Sequence, residues 1–172
     1  MFAATAPLRA GDAPVRWVGE EGLHVTMKFL GDVDEALARP IGDSLVTAVR
    51  GVKAFDVTLG GGGMFPGATD PHVFWIGVEK HPALELLAHD VERAVGPMGF
   101  VPELRPFQPH ITIGRARRDA LPSALAPLAE QIRSVEYSGV MVVGSVDLME
   151  SRPGGRGPSY RTVSRALLGG GA

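Results

Sequence analysis

The chain has 172 residues, of which 45% are hydrophobic and 21% charged, and is most simply one globular domain with enough length to bury a core. It has no Cys, which excludes disulfides, thiolate catalysis and Cys-based metal sites. Its net charge of −2 argues against binding along a long nucleic acid, which would require many phosphates to be neutralised. No apolar run approaches the roughly 20 residues that span a bilayer, and the start lacks a signal-peptide pattern. We therefore expect a cytoplasmic protein.

Hydrophobic periodicity and turn residues predict alternating strands and helices along the chain. Strands are expected at residues 2–5, 15–18, 23–31, 55–59, 73–78, 107–115, 135–149 (one strand, or two broken near Gly139 or Gly144) and 160–166. Helices are expected at residues 32–50, which Pro40 should kink or divide, 82–95 and 121–133, with turns at 60–63 and 154–158. The order strand, helix, strand, turn occurs twice, which predicts an α+β domain of two similar lobes, each a small sheet with helices outside.

Two apolar runs carry the same His-x-Thr pattern, LHVTMKFLG at residues 23–31 and FQPHITIGR at residues 107–115. Because strand side chains alternate between faces, His24 and Thr26 should share one face, and His110 and Thr112 should share another. The remaining faces are apolar and suited to burial. The pattern predicts that two imidazoles and two hydroxyls surround one cleft.

Two imidazoles and two hydroxyls around one cleft are suited to a nucleophilic displacement at phosphorus. One neutral His can deprotonate the attacking water while a protonated His gives its proton to the departing oxygen, and Thr hydroxyls can donate to the non-bridging oxygens. A zinc site is the alternative, but a third ligand is expected there and neither run contains an acidic residue in phase with its His. Each His taken alone could equally be a hydrogen-bonded structural residue. We predict no metal and no cofactor.

Three further residues are candidates for substrate binding. Lys28 is in phase with His24 but roughly 13 Å further along the strand, so it could draw in a phosphate without touching the reacting one. Arg115 is out of phase with His110 and would reach the cleft only through a bulge or the strand end. Phe65 follows four glycines and is a candidate stacking platform for a base, with lid or core packing as the alternative. The glycines are not followed by Gly-Lys-Ser/Thr and so do not form a nucleotide loop.

These segments resemble the bacterial and archaeal RNA 2′,3′-cyclic phosphodiesterases, also called 2′-5′ RNA ligases, of the two-histidine phosphoesterase superfamily. The resemblance rests on RWVGEEGLHVTMKFLGDV, RPFQPHITIGRAR, MFPGATDPHVFWIGV and LMESRPGGRGPSYRTV, and it extends from residue 15 onward. It implies a bilobal fold, with two pseudo-symmetric antiparallel-sheet lobes, outer helices and a central cleft.

The resemblance also implies the chemistry. A terminal 2′,3′-cyclic phosphate is opened to a 2′-phosphomonoester without metal, and some members join 2′-5′ RNA ends in reverse. By this resemblance His24 is the proton donor, His110 the proton acceptor, and Thr26 and Thr112 hold the phosphate. The expected partner is an RNA 3′ end or a small nucleotide with a cyclic phosphate. The alternatives are another cyclic or 2′-5′-linked nucleotide, or a non-catalytic module that binds RNA ends.

The start of the chain departs from the pattern. Relatives begin with a strand and a long helix, whereas only about fourteen residues precede the RWV segment here. We expect one domain over residues 1–172 with this N-terminal strand and helix shortened. An uncovered sheet edge or apolar face would then favour either a monomer of reduced stability or a weak dimer.

Overall fold

A computed structural model describes residues 1–152 and 159–169 of the chain. Within these stretches lie strands β1 (Val15–Trp17), β2 (Phe55–Phe65), β3 (Val73–Val78), β4 (His110–Ala116), β5 (Ser138–Val143), β6 (Ser145–Arg152) and β7 (Ser159–Leu167). The helices there are α1 (Ala6–Arg9), α2 (Ala38–Ala48), α3 (Pro82–Val95) and α4 (Pro122–Arg133). No helix in this part of the chain is long and apolar enough to cross a membrane.

Five strands form an antiparallel sheet in the order β1-β4-β3-β2-β5. One face of this sheet is buried because its strands alternate between apolar and other residues. Helix α4 has apolar residues every three or four positions, which gives it one apolar side. The two surfaces join in one core, formed chiefly by Leu125, Leu128, Ala129 and Ile132 from α4 and by Val57, Phe74, Ile76 and Ile113 from the sheet. The opposite face of the sheet is left open.

Strands β6 and β7 form a second, two-stranded antiparallel sheet. Helices α2 and α3 cover it and also have apolar residues at helical spacing. Together they enclose a second core of Ile41, Leu45, Val49, Leu87, Val91, Val95, Val146, Ala166 and Leu168. The molecule thus has two sheets with outer helices, as the sequence predicts, although the described part of the second sheet has only two strands.

Two local predictions near the start are wrong. Residues 2–5 do not form a strand, since Ala3–Thr5 is a 3-10 turn that leads into α1. The Thr5 hydroxyl donates to the Phe2 carbonyl at 3.1 Å, which closes this turn. Pro40 does not divide the helix predicted over residues 32–50, because the α-helix found there, α2, begins only two residues before Pro40, at Ala38. In the first helical turn a missing N–H removes no hydrogen bond.

The glycines at residues 60–63 do not form a turn but belong to β2. A bulge lies between Gly60 and Gly62, with Gly61 at φ +63°. Gly62 lies against the Ile132 carbonyl, and a Cβ there would come within 2.2 Å of that oxygen. Glycine is required at this position by the close approach of helix α4. The predicted break in the segment 135–149 lies at Gly144, between β5 and β6. The predicted turn at 154–158 lies outside the described residues.

The first His-x-Thr segment is not a regular strand. Between residues 23 and 31 its only strand-type pairing is a single antiparallel bridge from Val25 to Ile111 of β4. The chain bends at Met27, so the alternation expected over 23–31 stops there. This segment lies at the edge of the large sheet next to β4 and leads on toward the second lobe, where Met27 and Leu30 pack against the second core.

Candidate active site

The bridge between Val25 and Ile111 brings the two His-x-Thr motifs side by side. In an antiparallel pair the residues on either side of a bridge face each other crosswise. His24 therefore falls opposite Thr112, and Thr26 falls opposite His110. Ile111 is buried in the large core and Val25 packs against that core, so the four polar side chains lie on the open face of the sheet. The structure brings these four predicted residues together.

Both imidazoles are held in the same way. His24 Nδ1 lies 2.8 Å from the Gly22 carbonyl oxygen, and His110 Nδ1 lies 2.7 Å from the Gln108 carbonyl oxygen. A carbonyl oxygen only accepts, so each Nδ1 carries the proton and donates it. Each ring thus keeps Nε2 for other partners, as a base when neutral and as an acid when charged. Both rings are half-buried, which leaves them accessible to a substrate.

Aromatic rings surround the two His differently. The His24 ring meets Tyr160 of β7 edge to face, with the ring centres 4.7 Å apart. The His110 ring meets Phe65 edge to face at 5.1 Å and lies 6.0 Å from Trp75. Tyr160 and Trp75 are not among the sequence-predicted site residues. Trp75 belongs to the apolar run VFWIGV and Tyr160 to a strand of mostly polar and charged residues, and neither pattern distinguishes a site residue from a packing residue.

Phe65 lies at the end of β2 and packs beside Trp75, with ring centres 5.2 Å apart. The Trp75 ring covers Gly63, where a Cβ would come within 2.2 Å of the indole. The glycine therefore allows the indole to lie flat against the open face, and Phe65 extends the same aromatic surface toward His110. Phe65 remains half-buried, so part of its ring faces solvent.

A bulge in β4 places Arg115 on the open face. Trp75 pairs with Thr112 and Phe74 pairs with Gly114, which leaves Ile113 as an extra residue. Ile113 and Gly114 are both buried, so the alternation resumes with Arg115 on the same side as Thr112. Arg115 pairs on one side with Val73 and on the other with Arg16 of β1. The structure thus contains the bulge that the predicted role of Arg115 requires.

Lys28 is occupied elsewhere. Its ammonium donates to Glu92 of α3 at 2.7 Å and to the Val101 carbonyl at 2.8 Å, and its side chain is only 5% exposed. Because the chain bends at Met27, Lys28 does not share the face of His24 as strict alternation would predict. This placement does not support a role in drawing in substrate. It makes Lys28 the link between the His24 segment and the helix and loop behind it.

The arginines of the second sheet lie beside acidic residues. Glu150 binds Arg152 at 2.8 Å and Arg161 at 2.9 Å, and Asp147 binds Arg165 at 2.6 Å. Burial tends to raise the pKa of Asp147, but hydrogen bonds from Arg165 and Ser145 outweigh it and hold that pKa below its usual range. These three arginines therefore add little net positive charge. Within residues 1–152 and 159–169, no group of three His, Cys, Asp or Glu is placed to hold a metal ion.

Comparison with known proteins identifies the family. Residues 6–155 match the model of the 2′-5′ RNA ligase superfamily. The RNA 2′,3′-cyclic phosphodiesterase of Methanothermobacter thermautotrophicus is 36% identical over 153 residues, covering 89% of this chain and 82% of the relative. The protein of the same name from Aeropyrum pernix is 35% identical over 151 residues, covering 87% and 84%. The chain belongs to the 2′-5′ RNA ligase superfamily.

Solved structures agree on the fold. The protein TT0787 of Thermus thermophilus superposes with a TM-score of 0.80 at 22% identity, covering 97% of this chain and 90% of the other. E. coli LigT complexed with 3′-AMP superposes with a TM-score of 0.71 at 23% identity, covering 98% and 88%. The predicted bilobal α+β fold is confirmed.

Proposed function

We propose that this protein is an RNA 2′,3′-cyclic phosphodiesterase that hydrolyses a terminal 2′,3′-cyclic phosphate to a 2′-phosphomonoester. The main support is the matched geometry of His24 and His110. Each ring donates from Nδ1 to the carbonyl two residues before it and keeps Nε2 for a substrate. Each ring also lies opposite the Thr of the other motif. The homologous RNA 2′,3′-cyclic phosphodiesterases support the same reaction.

The proton transfers follow from the two tautomers. Neutral His110 takes a proton from water through Nε2 as the water oxygen bonds to phosphorus. The bond from phosphorus to the ribose O3′ breaks, and protonated His24 gives its Nε2 proton to that oxygen. The product carries a 2′-phosphate and a free 3′-hydroxyl, and the two His have exchanged protonation states. Solvent then restores them for the next turnover.

The remaining groups stabilise and orient the phosphate. Thr26 and Thr112 donate their hydroxyl hydrogens to the non-bridging oxygens, whose negative charge increases in the five-coordinate state. Phe65 offers an aromatic surface beside His110 on which the terminal base stacks. Arg115 lies on the same face and adds positive charge close to the phosphate.

A joining reaction uses the same residues. If the 5′-hydroxyl of a second RNA attacks the cyclic phosphate in place of water, His110 takes its proton, the bond from phosphorus to O3′ breaks, His24 protonates O3′, and a 2′-5′ linkage results. We propose ligation as a secondary activity that depends on how a second RNA end is held. The motifs come from one chain, so the site requires no second copy, and we propose a monomer as the active unit.

A turnover assay tests the proposal. We expect a nucleoside 2′,3′-cyclic phosphate to be hydrolysed in the presence of EDTA, with ³¹P NMR identifying the 2′-phosphate. The pH profile should be bell-shaped, since one His must be neutral and the other charged. His24→Ala and His110→Ala should each lower kcat by on the order of a hundredfold or more. His89→Ala, at an exposed position on α3, is the matched control.

Three outcomes would contradict the proposal. Binding of the cyclic nucleotide without any product would identify a non-catalytic module for RNA ends. Full loss of activity in EDTA, restored by a divalent cation, would require a metal-dependent reaction. A His24→Ala or His110→Ala variant that keeps nearly all activity would remove that His from the mechanism.

A further inference from the structure

Two arginines lie directly opposite each other at the edge of the open face. Arg16 of β1 pairs in register with Arg115 of β4. Residues opposite each other in an antiparallel pair share a face. Val15 and Ala116, their neighbours, pack in or against the large core, so both guanidinium groups extend from the other face, which is that of Thr112.

Nothing in the described part of the chain neutralises this pair. Within residues 1–152 and 159–169, neither Arg16 nor Arg115 makes a salt bridge, whereas Arg152, Arg161 and Arg165 all do. Like charges directly opposite each other on a sheet are destabilising. Arg16 is exposed and Arg115 half-buried, so the open face retains two adjacent positive charges that an anion would stabilise.

The distance from the reacting centre identifies the anion. Arg115 lies three residues beyond Thr112, one of which is the bulged residue, so about two strand steps of roughly 3.3 Å separate them. Both arginines therefore start beside the phosphate held by the Thr hydroxyls and not directly over it. This separation matches the span of a single nucleotide. In an RNA that ends in a cyclic phosphate, the nearest other phosphate is the diester on the 5′ side of the last nucleotide.

We propose that Arg16 and Arg115 form a subsite for this penultimate phosphodiester, and that Arg16 makes the protein prefer oligonucleotide ends over mononucleotides. The proposal rests on the proposed function and adds the substrate class. The row across the sheet supports it, since Phe65, Val73, Arg115 and Arg16 lie abreast on four neighbouring strands. A base on Phe65 and a phosphate on the arginines would flank the terminal nucleotide.

The test compares three substrates that differ only near this phosphate. They are a nucleoside 2′,3′-cyclic phosphate, a dinucleotide with the same cyclic end and a natural linkage, and that dinucleotide with a neutral methylphosphonate linkage. For the unmodified protein, kcat/KM should be highest for the natural dinucleotide. Arg16→Gln should lower the ratio of natural to methylphosphonate dinucleotide by about tenfold, the effect of losing one charge-assisted hydrogen bond.

Two variants serve as controls. Arg39→Gln removes an arginine from the exposed surface of α2, far in sequence from both motifs, and should leave the ratio as in the unmodified protein. Arg16→Lys keeps the charge and should retain most of the preference for the natural linkage. Circular dichroism and Tm check that Arg16→Gln folds as the unmodified protein does, as expected for an exposed residue.

Different outcomes of this experiment would contradict the proposed function and the inferred subsite. If the unmodified protein turns over none of the substrates, the proposed function is wrong, and the same ratio is then measured on the Kd values of the two dinucleotides. If the ratio is unchanged in Arg16→Gln, the inferred subsite is wrong even though hydrolysis occurs. Equal loss on all three substrates would also overturn it, because Arg16 would then act on the reacting phosphate. The salt dependence of binding gives an independent check, with a slope about one charge steeper for the natural linkage.

Discussion

Replacing Glu92 by Gln tests whether its ion pair with Lys28 holds the His24 segment in place. The Lys28 side chain is 5% exposed, that of Glu92 is 26% exposed, and their charged atoms lie 2.7 Å apart. At such a distance two unit charges attract by about 6 kcal/mol at an effective dielectric constant of about 20. Desolvation of the ammonium cancels most of this attraction. Without the carboxylate, the buried ammonium still carries its desolvation penalty but loses the attraction that offset this penalty.

Loss of one partner from a buried ion pair costs about 3–5 kcal/mol. Because Glu92 is partly open to water, we expect Glu92→Gln to lower the free energy of unfolding by about 2–3 kcal/mol. In a chain of this length, Tm should then fall by roughly 5–10 °C. Urea unfolding followed by tryptophan fluorescence and circular dichroism measures the free energy, and a thermal scan measures Tm. The kcat should fall as well, since Lys28 lies only four residues from His24.

Two further variants make this prediction refutable. Asp43→Asn removes the exposed pair with Arg39, whose charged atoms are 3.9 Å apart, and should change stability by less than about 0.5 kcal/mol. Adding Lys28→Met to Glu92→Gln removes the unpaired ammonium and should recover part of the lost stability. If Glu92→Gln costs no more than Asp43→Asn, the buried pair does not stabilise the segment and the reasoning is refuted.

Three other predictions concern the site and the second sheet. Thr26→Val and Thr112→Val keep the side-chain shape but remove a donor, so each should lower kcat more than it raises KM, and a change in KM alone would assign them to binding only. Phe65→Ala should weaken binding of base-bearing substrates by about 1–3 kcal/mol, measured as Kd, whereas an unchanged Kd would leave Phe65 to loop packing. The lowered pKa of Asp147 stabilises the fold at pH values above its unfolded pKa of about 3.9 and stops doing so as pH falls through the folded pKa. Asp147→Asn should therefore destabilise by about 1 kcal/mol at pH 7 and by less at pH 3, measured by urea unfolding, and an equal loss at both pH values would contradict this.

The sequence predicts the parts of the fold that depend on periodicity. Helices α3 and α4 and strand β3 follow from regular apolar spacing, which acts over a few neighbouring residues and is visible in the chain. The prediction of a turn at the glycines of β2 follows from the general rule that glycine weakens strands. Their reason for lying in a strand is the approach of α4 and the indole of Trp75, which are distant in sequence.

For the site, the sequence predicts which residues carry the motifs but not how they face each other. The alternation rule places His24 and Thr26 on one face, and the bridge to Ile111 determines which residue of β4 each one meets. The same rule applied to Lys28 goes wrong because the chain bends at Met27. Arg16 is not predicted as a site residue, since only the register of β1 with β4 places it beside Arg115.

The two motifs meet at one strand bridge, and this gives the two His different surroundings within a matched geometry. His110 belongs to a regular strand and is held among Phe65 and Trp75 of the same sheet. His24 lies on a segment without a ladder and touches Tyr160 of the other lobe. A slip of one residue in that segment would turn His24 toward the core and Val25 outward. The contacts that oppose such a slip are the packing of Val25, the hydrogen bond from His24 to Gly22 and the ion pair of Lys28. The position of the His24 ring, the proposed proton donor, therefore depends on groups remote from the proposed phosphate site.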